Sequence, residues 1–498
     1  MRLSLFTLLI IVQSLCAGAQ SPASKEYVNL ITNENLKDNL SILASDALEG
    51  RETGTRGQKM AAAFIKKHFQ DIGLSGPVDG DYYQDVPLYV SKPGETYLMI
   101  GKEKFTNLKD VLYYGRGGKA EPVTVSAVFA GSGSKETFDA IDVTDKAVVI
   151  AVSKEDGFRE QVRLARERKA KTVIAFFEDR QALDELIGQY KRSPFGSRLS
   201  LTKPEHGEAE GIFMVTAEIA AKIFNSSPEK LLAAAKETSL KKGIGKIKEG
   251  KVTWQAETKA EAVISENVLG YLEGTDKKDE LIVITAHYDH IGKRSSGTGD
   301  LINNGADDDG SGTVAVMEIA RAFTQAKAAG QGPRRSILFM LVTAEEKGLL
   351  GSDYYTQNPV FPLANTVVNL NIDMVGRRDP QHKDSAPYVY VIGSDKLSSE
   401  LHSLSETINA NNLKLIFDYT YNDQNHPDRL YYRSDHWNFA KNNIPIIFYF
   451  DGIHEDYHKP SDEVDKIEFD LLRQRTQTVF LTAWEIANRE ARIRVDAK

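Results

Sequence analysis

The chain has 498 residues, of which 41% are hydrophobic and 27% are charged, a composition typical of globular proteins with a large core. This length predicts two or three domains. The net charge of −8, without a cluster of lysine and arginine, argues against a nucleic-acid partner.

The N-terminus predicts a cleaved export signal. The positive charge of Arg2 precedes an apolar run over residues 3–12 and three small residues at 17–19, which are the parts of a signal peptide. The run is too short for a stable membrane anchor. We therefore expect residues 1–19 to be removed and the protein to be periplasmic or extracellular.

The only cysteine, Cys16, lies inside that segment. The rest of the chain therefore has no disulfide partner, and it lacks both a cysteine nucleophile and a zinc thiolate site. Its stability is expected to come from the size of its core or from bound metal.

Apolar periodicity predicts two helices near the start, at 36–48 and 57–72, with a turn-rich joint at 48–54. Residues 115–250 have β-branched runs with helices between them, which predicts a compact α/β unit. Its strands are predicted at 123–129, 147–152, 171–177 and 211–215, and its helices at 158–170 and 217–224.

Beyond residue 251, continuous apolar runs alternate with helical segments. The runs are 281–286, 336–343, 367–372 and 444–450, and the helices are 313–327 and 398–411. Continuous apolar runs suit strands that are buried on both faces. We therefore predict an α/β fold, with a three-layer α/β/α domain around a mainly parallel, mixed sheet.

Polar side chains follow each of these four strands. They are His287 and Asp289, then Glu345 and Glu346, then Asp373, and finally His454, Asp456 and His458. Because open α/β sheets bind ligands at the carboxyl ends of their strands, we expect these side chains to share one crevice.

Residues 305–312 add three adjacent aspartates between glycines, just before a helix. Like charges this close raise one another's pKa unless a cation neutralises them. A helix cap explains one aspartate and not three, so we expect this loop to bind metal.

The types of ligand indicate the metal. Imidazole and carboxylate without thiolate suit a catalytic zinc site, although cobalt or manganese could occupy the same ligands. Two histidines and three carboxylates are enough for two ions, which a bridging carboxylate would hold about 3.5–4 Å apart. Glu345 and Glu346 would then supply one ligand and one base, if both lie just past the strand.

The ordered motifs resemble the co-catalytic two-zinc aminopeptidase family, which includes bacterial leucine aminopeptidases and, more distantly, glutamate carboxypeptidase II. They are His-x-Asp, Gly-Ala-Asp-Asp-Asp-Gly-Ser-Gly, Ala-Glu-Glu, Asn-x-Asp-Met, Ser-Asp-His and Tyr-His, and they span residues 281–465. Each motif is short, but the ordered set is specific. The resemblance implies a zinc exopeptidase that removes N-terminal residues from peptides with a free N-terminus by means of a metal-activated water.

The resemblance also implies roles for individual residues. The metal ligands would be His287, Asp308, Glu346, Asp373 and His458, with Asp308 bridging two zinc ions. Asp289 would orient His287 from behind. Glu345 would act as general base and then as general acid, and Tyr431 would polarise the scissile carbonyl.

Residues 115–250 resemble the protease-associated domain that is inserted in this family, through residues 129–133 and 145–150. Residues 20–114 would then be the N-terminal part of the peptidase domain, and residues 251–498 its main part.

Three alternatives stay open. A carboxypeptidase of the same chemistry would need cations for the substrate carboxylate, which Arg377, Arg378 or Arg433 could supply. Glutaminyl cyclase uses one zinc, and the two-metal ligand set argues against it. A non-catalytic binding protein on the same fold is disfavoured because Glu345 and all the proposed ligands are intact.

Several polar residues near the motifs have no ligand role in this scheme. His290 is interpreted as a surface or packing residue, and His436 as structural support. Asp307 and Asp309 are interpreted as cap and turn residues. A contact between His454 and substrate is left open.

Overall fold

The computed structural model describes residues 22–153, 158–192, 198–203, 209–237, 243–294 and 296–497. The predicted signal peptide, residues 1–19, lies outside this part of the chain. Within it, no helix combines the length and the apolar character that crossing a membrane requires.

The strands in chain order are β1 (Tyr83–Ile100), β2 (Glu103–Thr106), β3 (Leu112–Arg116), β4 (Val123–Phe129), β5 (Ala147–Val152), β6 (Thr172–Phe177), β7 (Arg198–Ser200), β8 (Glu210–Thr216), β9 (Gly250–Leu272), β10 (Lys277–His287), β11 (Arg335–Val342), β12 (Thr366–Ile372), β13 (Tyr388–Ile392), β14 (Ile416–Asp418) and β15 (Ile446–Phe450). The α-helices are α1 (Pro22–Tyr27), α2 (Asn33–Leu43), α3 (Arg56–Asp71), α4 (Lys135–Ala140), α5 (Arg159–Glu167), α6 (Arg180–Arg192), α7 (Ala217–Ile223), α8 (Pro228–Lys236), α9 (Gly312–Ala328), α10 (Leu350–Gln357), α11 (Ser399–Asn411), α12 (His436–Ala440) and α13 (Phe469–Asn488).

Most predicted elements lie within a few residues of the observed ones. The helix predicted at 36–48 is an exception, because α2 ends at Leu43. The chain then enters a short turn in which Glu49 has φ of 53° and Gly50 has φ of 69°. Leu48 is buried within this turn, so the apolar pattern continues past the end of the helix.

The chain divides into two compact units. The first contains the residues up to Val86 and those from Ile264 onward, and the second is Pro87–Val263. The second unit therefore extends beyond the predicted range 115–250 at both ends. Its likeness to a protease-associated domain stays a prediction.

In the first unit the strand order is β14-β13-β15-β12-β10-β11-β9. Strand β10 is central, and it pairs in parallel with β11 and β12; β12 also pairs in parallel with β15. Strands β9 and β13 pair antiparallel with β11 and β15. The mainly parallel, mixed sheet of the prediction is confirmed.

Both faces of this sheet are covered, as its continuous apolar strands require. On one face, Ile282 and Ile284 of β10 belong to the core that helices α2, α3, α9 and α13 complete. On the other face, Val283 belongs to a core with Tyr355 of α10 and Phe439 of α12. These layers make a three-layer α/β/α unit that directs the ends of its parallel strands to one edge.

The second unit is also of the α/β type. Strands β4, β5, β6 and β8 pair in parallel, with β9 antiparallel to β4 and β3 antiparallel to β8. One core lies between the strands and helices α7 and α8, and another between the strands and helices α4, α5 and α6.

Candidate metal centre

The ends of neighbouring parallel strands bring the predicted ligands together. His287 is the last residue of β10, and Asp373 directly follows β12. Glu345 and Glu346 lie just beyond β11, after Ala344, which has φ of 58°. The strand has therefore ended before the doublet, so the two neighbouring carboxylates are not forced to opposite faces.

One set of ligand atoms lies around His287. Its Nε2 atom is 3.3 Å from Oδ1 of Asp308 and 3.5 Å from Oδ1 of Asp373. Zinc binds such atoms at about 2.0–2.1 Å, so the ligands of one tetrahedral ion lie about 3.3 Å from one another. Both distances from His287 therefore match the separation between ligands of one zinc ion.

A second set lies around His458. Its Nε2 atom is 3.1 Å from Oδ2 of Asp308 and 3.2 Å from Oε2 of Glu346. Asp308 therefore contributes one carboxylate oxygen to each set, which is the geometry of a bridging ligand.

The chemistry of this cluster fits a cation. Asp308 Oδ2, Glu346 Oε1 and His458 Nε2 are buried and have close polar neighbours, but within the described residues none of them makes a hydrogen bond of suitable geometry, although buried polar groups normally do. Burial by itself would raise the pKa of Asp308, but His290, His287 and His458 hold that pKa well below its usual range. A buried carboxylate that stays ionised is suited to bind metal.

Glu345 lies beside both sets and belongs to neither. Its Oε2 atom is 3.9 Å from Nε2 of His287. Burial raises the pKa of Glu345 well above its usual range, and the charges of Asp373 and Glu346 raise it further. A carboxylate whose pKa lies closer to neutrality is a better general base and acid than an exposed one.

Asp309 comes within ligand distance of His287 and Asp373, but its oxygens already have partners. Oδ2 accepts from the backbone N–H of His287 at 3.1 Å. Oδ1 accepts from those of Gly312 at 2.8 Å and Met374 at 3.1 Å. Asp309 thus joins three segments of the centre, in agreement with its interpretation as a turn residue.

Asp307 is also engaged away from the ligand sets. Its Oδ1 accepts from the backbone N–H of Gly376 at 2.6 Å, and its Oδ2 is 3.1 Å from Nε2 of His454. Both side chains are buried, so His454 supports the aspartate loop. Asp462 accepts from the backbone N–H groups of Asp307 and Asp308, and it therefore also supports this loop.

Asp289 contacts His287, but through its backbone. Nδ1 of His287 is 3.0 Å from the carbonyl oxygen of Asp289, whereas the Asp289 carboxylate is 3.9 Å away. That carboxylate instead accepts from the backbone N–H of Glu345 at 3.1 Å and from the hydroxyl of Thr53 at 2.8 Å. The residue therefore positions both the first ligand and the candidate base.

Arg51 is a supporting residue that the sequence did not reveal. Its guanidinium is buried and donates to four backbone carbonyls, those of Leu43, Tyr288, Asn304 and Gly305. These bonds connect the turn after α2 to the loops that carry His287 and Asp308. The only sequence signal was the position of Arg51 in a stretch that predicted a turn.

His290 is a second residue that was missed, and its interpretation as a surface or packing histidine was wrong. The side chain is fully buried. Its Nδ1 atom is 2.8 Å from Oε1 of Glu346 and 3.7 Å from Oδ2 of Asp308. His290 thus lies beside the oxygen of Glu346 that is not shared with His458, and with Asp308 and Glu346 it forms a group that could hold a metal ion.

We expect the substitution His290→Gln to weaken binding of the second zinc by about 10–100-fold, the usual effect of losing a partner of a ligand. Calorimetric titration of the metal-free protein with zinc measures the two affinities. His402→Gln is the matched control, because His402 contacts Ser394 and not a ligand. Equal zinc affinities in both variants would contradict the role of His290.

A cavity opens beside the ligands, and the predicted Tyr431 is not among the described residues that line it. The ring of Tyr431 packs against those of His436 and Trp437, with 5.8 Å between ring centres in each pair. Tyr457 lines the cavity instead, with its ring stacked on His458 at 3.9 Å. The role assigned to Tyr431 stays a prediction.

Part of the chain is similar to a known peptidase family. Residues 267–483 match the model of peptidase family M28. An aminopeptidase of Bacillus subtilis (strain 168), YwaD, is 28% identical over 234 residues, which cover 45% of this chain and 46% of the relative. A probable zinc metalloprotease of Pyrenophora tritici-repentis is 28% identical over 272 residues, which cover 45% of this chain and 52% of the relative.

The chain spans about half the length of these curated relatives. The solved structure of an aminopeptidase from Aneurinibacillus sp. strain AM-1 covers 95% of this chain and 98% of its own, with a TM-score of 0.53 and 20% identity. That similarity supports the fold. Both ligand sets lie within residues 267–483, the part of the chain that is similar to peptidase family M28.

Proposed function

We propose that the protein is an exported, zinc-dependent aminopeptidase that removes N-terminal residues from peptides. One observation carries the proposal: two sets of ligand atoms share Asp308, and Glu345 lies beside them without belonging to either. A two-metal hydrolase needs this arrangement of a bridging carboxylate and a separate base. The two relatives named as an aminopeptidase and as a probable zinc metalloprotease support the same activity.

The residues fit two zinc ions, one held by His287, Asp308 and Asp373 and the other by Asp308, Glu346 and His458. Bound there, the ions supply Lewis-acid chemistry, which polarises a carbonyl and lowers the pKa of water.

The protein's own contribution to the reaction is proton transfer. Glu345 takes a proton from the attacking water and returns it to the leaving amine. Asp289 holds the backbone of Glu345 in place through the bond from its N–H group.

Two of the three arginines that could bind the substrate carboxylate in a carboxypeptidase are already paired with carboxylates of the protein. Arg377 pairs with Asp456 at 3.1 Å, and Arg378 pairs with Glu468 at 3.0 Å. Both guanidinium groups are therefore already neutralised, which favours the aminopeptidase. Arg433 is left as a candidate.

The proposal is tested with purified residues 20–498 and paired peptides that differ only in an acetylated N-terminus. We expect cleavage of the free-amine peptides alone, its loss with a chelator, its return with zinc, and two zinc ions bound per chain. Release of C-terminal residues from acetylated peptides would instead establish a carboxypeptidase. Turnover that survives removal of all metal would overturn the proposal.

A further inference from the structure

The cavity beside the metal ligands has apolar walls and a single guanidinium. Its apolar lining residues are Met374, Leu430, Phe448, Phe450 and Ile453. Among the described lining residues, Arg433 is the only lysine or arginine. A side chain that enters this cavity would meet hydrocarbon and one positive charge, next to the carboxylates of the proposed metal ligands and base.

Arg433 differs from the arginines near it in having no partner. In the described part of the chain its side chain makes no ion pair and no hydrogen bond. By contrast, Arg377 and Arg378 are paired with carboxylates, and the guanidinium of Arg429 lies over the ring of Tyr432, 4.8 Å from its centre. Arg433 thus has its full donor capacity available to a ligand.

The charge balance of the metal centre bears on the role of Arg433. The proposed ligands and base include four carboxylates, those of Asp308, Glu345, Glu346 and Asp373, and two zinc ions would neutralise them. An extra cation at the cavity is then not needed to balance the ligands. A guanidinium is well matched to a carboxylate, because it can donate two parallel N–H bonds to its two oxygens.

We propose, on the basis of the proposed peptidase function, that Arg433 recognises a carboxylate of the substrate. The carboxylate is either the side chain of an N-terminal aspartate or glutamate, or the C-terminal group of a very short peptide. In the first case the apolar walls contact the methylene groups of the side chain. In both cases the protein selects acidic substrates over neutral ones of the same shape.

The experiment measures kcat/KM of the zinc-loaded protein for two pairs of substrates. Glutamyl and glutaminyl p-nitroanilides differ only in the side-chain carboxylate, and the dipeptide Leu-Ala and its amide differ only in the C-terminal carboxylate. The proteins are the wild type, Arg433→Gln and the control Arg429→Gln, an arginine that does not line the cavity.

We expect the wild type and Arg429→Gln to prefer the acid in one pair, and Arg433→Gln to lose about tenfold of that preference. A change in the anilide pair identifies a side-chain carboxylate, and a change in the dipeptide pair identifies a C-terminal one. An unchanged ratio in both pairs would overturn the inference.

Binding separates this inference from the peptidase proposal. Calorimetry compares L-glutamate with L-glutamine, and L-leucine with leucinamide, on the same three zinc-loaded proteins. If no substrate is hydrolysed, the peptidase proposal fails, but an acid preference that depends on Arg433 still supports carboxylate recognition. Equal binding of acid and amide by wild type and Arg433→Gln would refute it without any turnover.

Discussion

Replacing Glu345 with glutamine is expected to lower kcat by about 10²–10⁴-fold, the usual contribution of a general acid and base. The substitution keeps the shape of the side chain and removes its ability to accept a proton. Because Glu345 lies outside both ligand sets, zinc binding should persist at two ions per chain. Steady-state kinetics and elemental analysis of the same preparation measure the two quantities.

Glu346, the residue next to Glu345, provides a matched control. Glu346→Gln removes a ligand of the second set, 3.2 Å from His458, and is expected to lose bound zinc together with activity. The role of Glu345 would be contradicted if Glu345→Gln kept activity within tenfold of the wild type. It would also be contradicted if this variant lost zinc as Glu346→Gln does.

Arg51→Met is expected to lower the free energy of unfolding by about 3–5 kcal/mol. Methionine has a similar length but cannot donate, so four backbone carbonyls lose the guanidinium. Gly305 keeps the N–H of Gly310, and each buried group that is left unpaired costs about 1–3 kcal/mol. Thermal and urea unfolding measure the loss. Arg51→Lys should recover only part of it, since one ammonium cannot reproduce a fork of guanidinium donors.

Arg494→Met serves as the control for Arg51→Met. Arg494 is a mostly exposed arginine of the same unit that pairs with Glu400, and exposed pairs contribute about 0–1 kcal/mol. If Arg51→Met unfolded at the same temperature as Arg494→Met, the buried guanidinium would not have the stabilising role that its bonds indicate.

The fold of the first unit could be predicted because its parallel strands are continuous apolar runs in the sequence. The apolar runs at 281–286, 336–343, 367–372 and 444–450 coincide with the cores of β10, β11, β12 and β15. Strands that are buried on both faces have no polar alternation to obscure them. The end of α2 could not be predicted, because the apolar spacing continues to Leu48, which is buried in the turn after the helix.

Four of the five predicted ligands, all except His458, lie at or just past the end of a strand or just before a helix, where local sequence determines their position. His458 lies in the loop that follows β15. Arg51 and His290 were missed for the opposite reason. The partners of Arg51 at Tyr288 and Gly305 are 237 and 254 residues away, and His290 contacts Glu346 across two loops. No local pattern encodes such pairings, and they emerge only when the chain is folded.

The separation between Arg51 and its acceptors also has a consequence for biosynthesis. Residues 87–263 form their own compact unit, which stands in the sequence between the two parts of the first unit. They can therefore fold while the rest of the chain is still being synthesised. Arg51 cannot form its hydrogen bonds before residues 288–305 have been synthesised. The second ligand set stays incomplete until His458 has been added to the chain. Contacts this distant in sequence form slowly. A nascent chain therefore carries no finished set of candidate metal ligands, and the protein completes the set late, after most of the polypeptide has been synthesised.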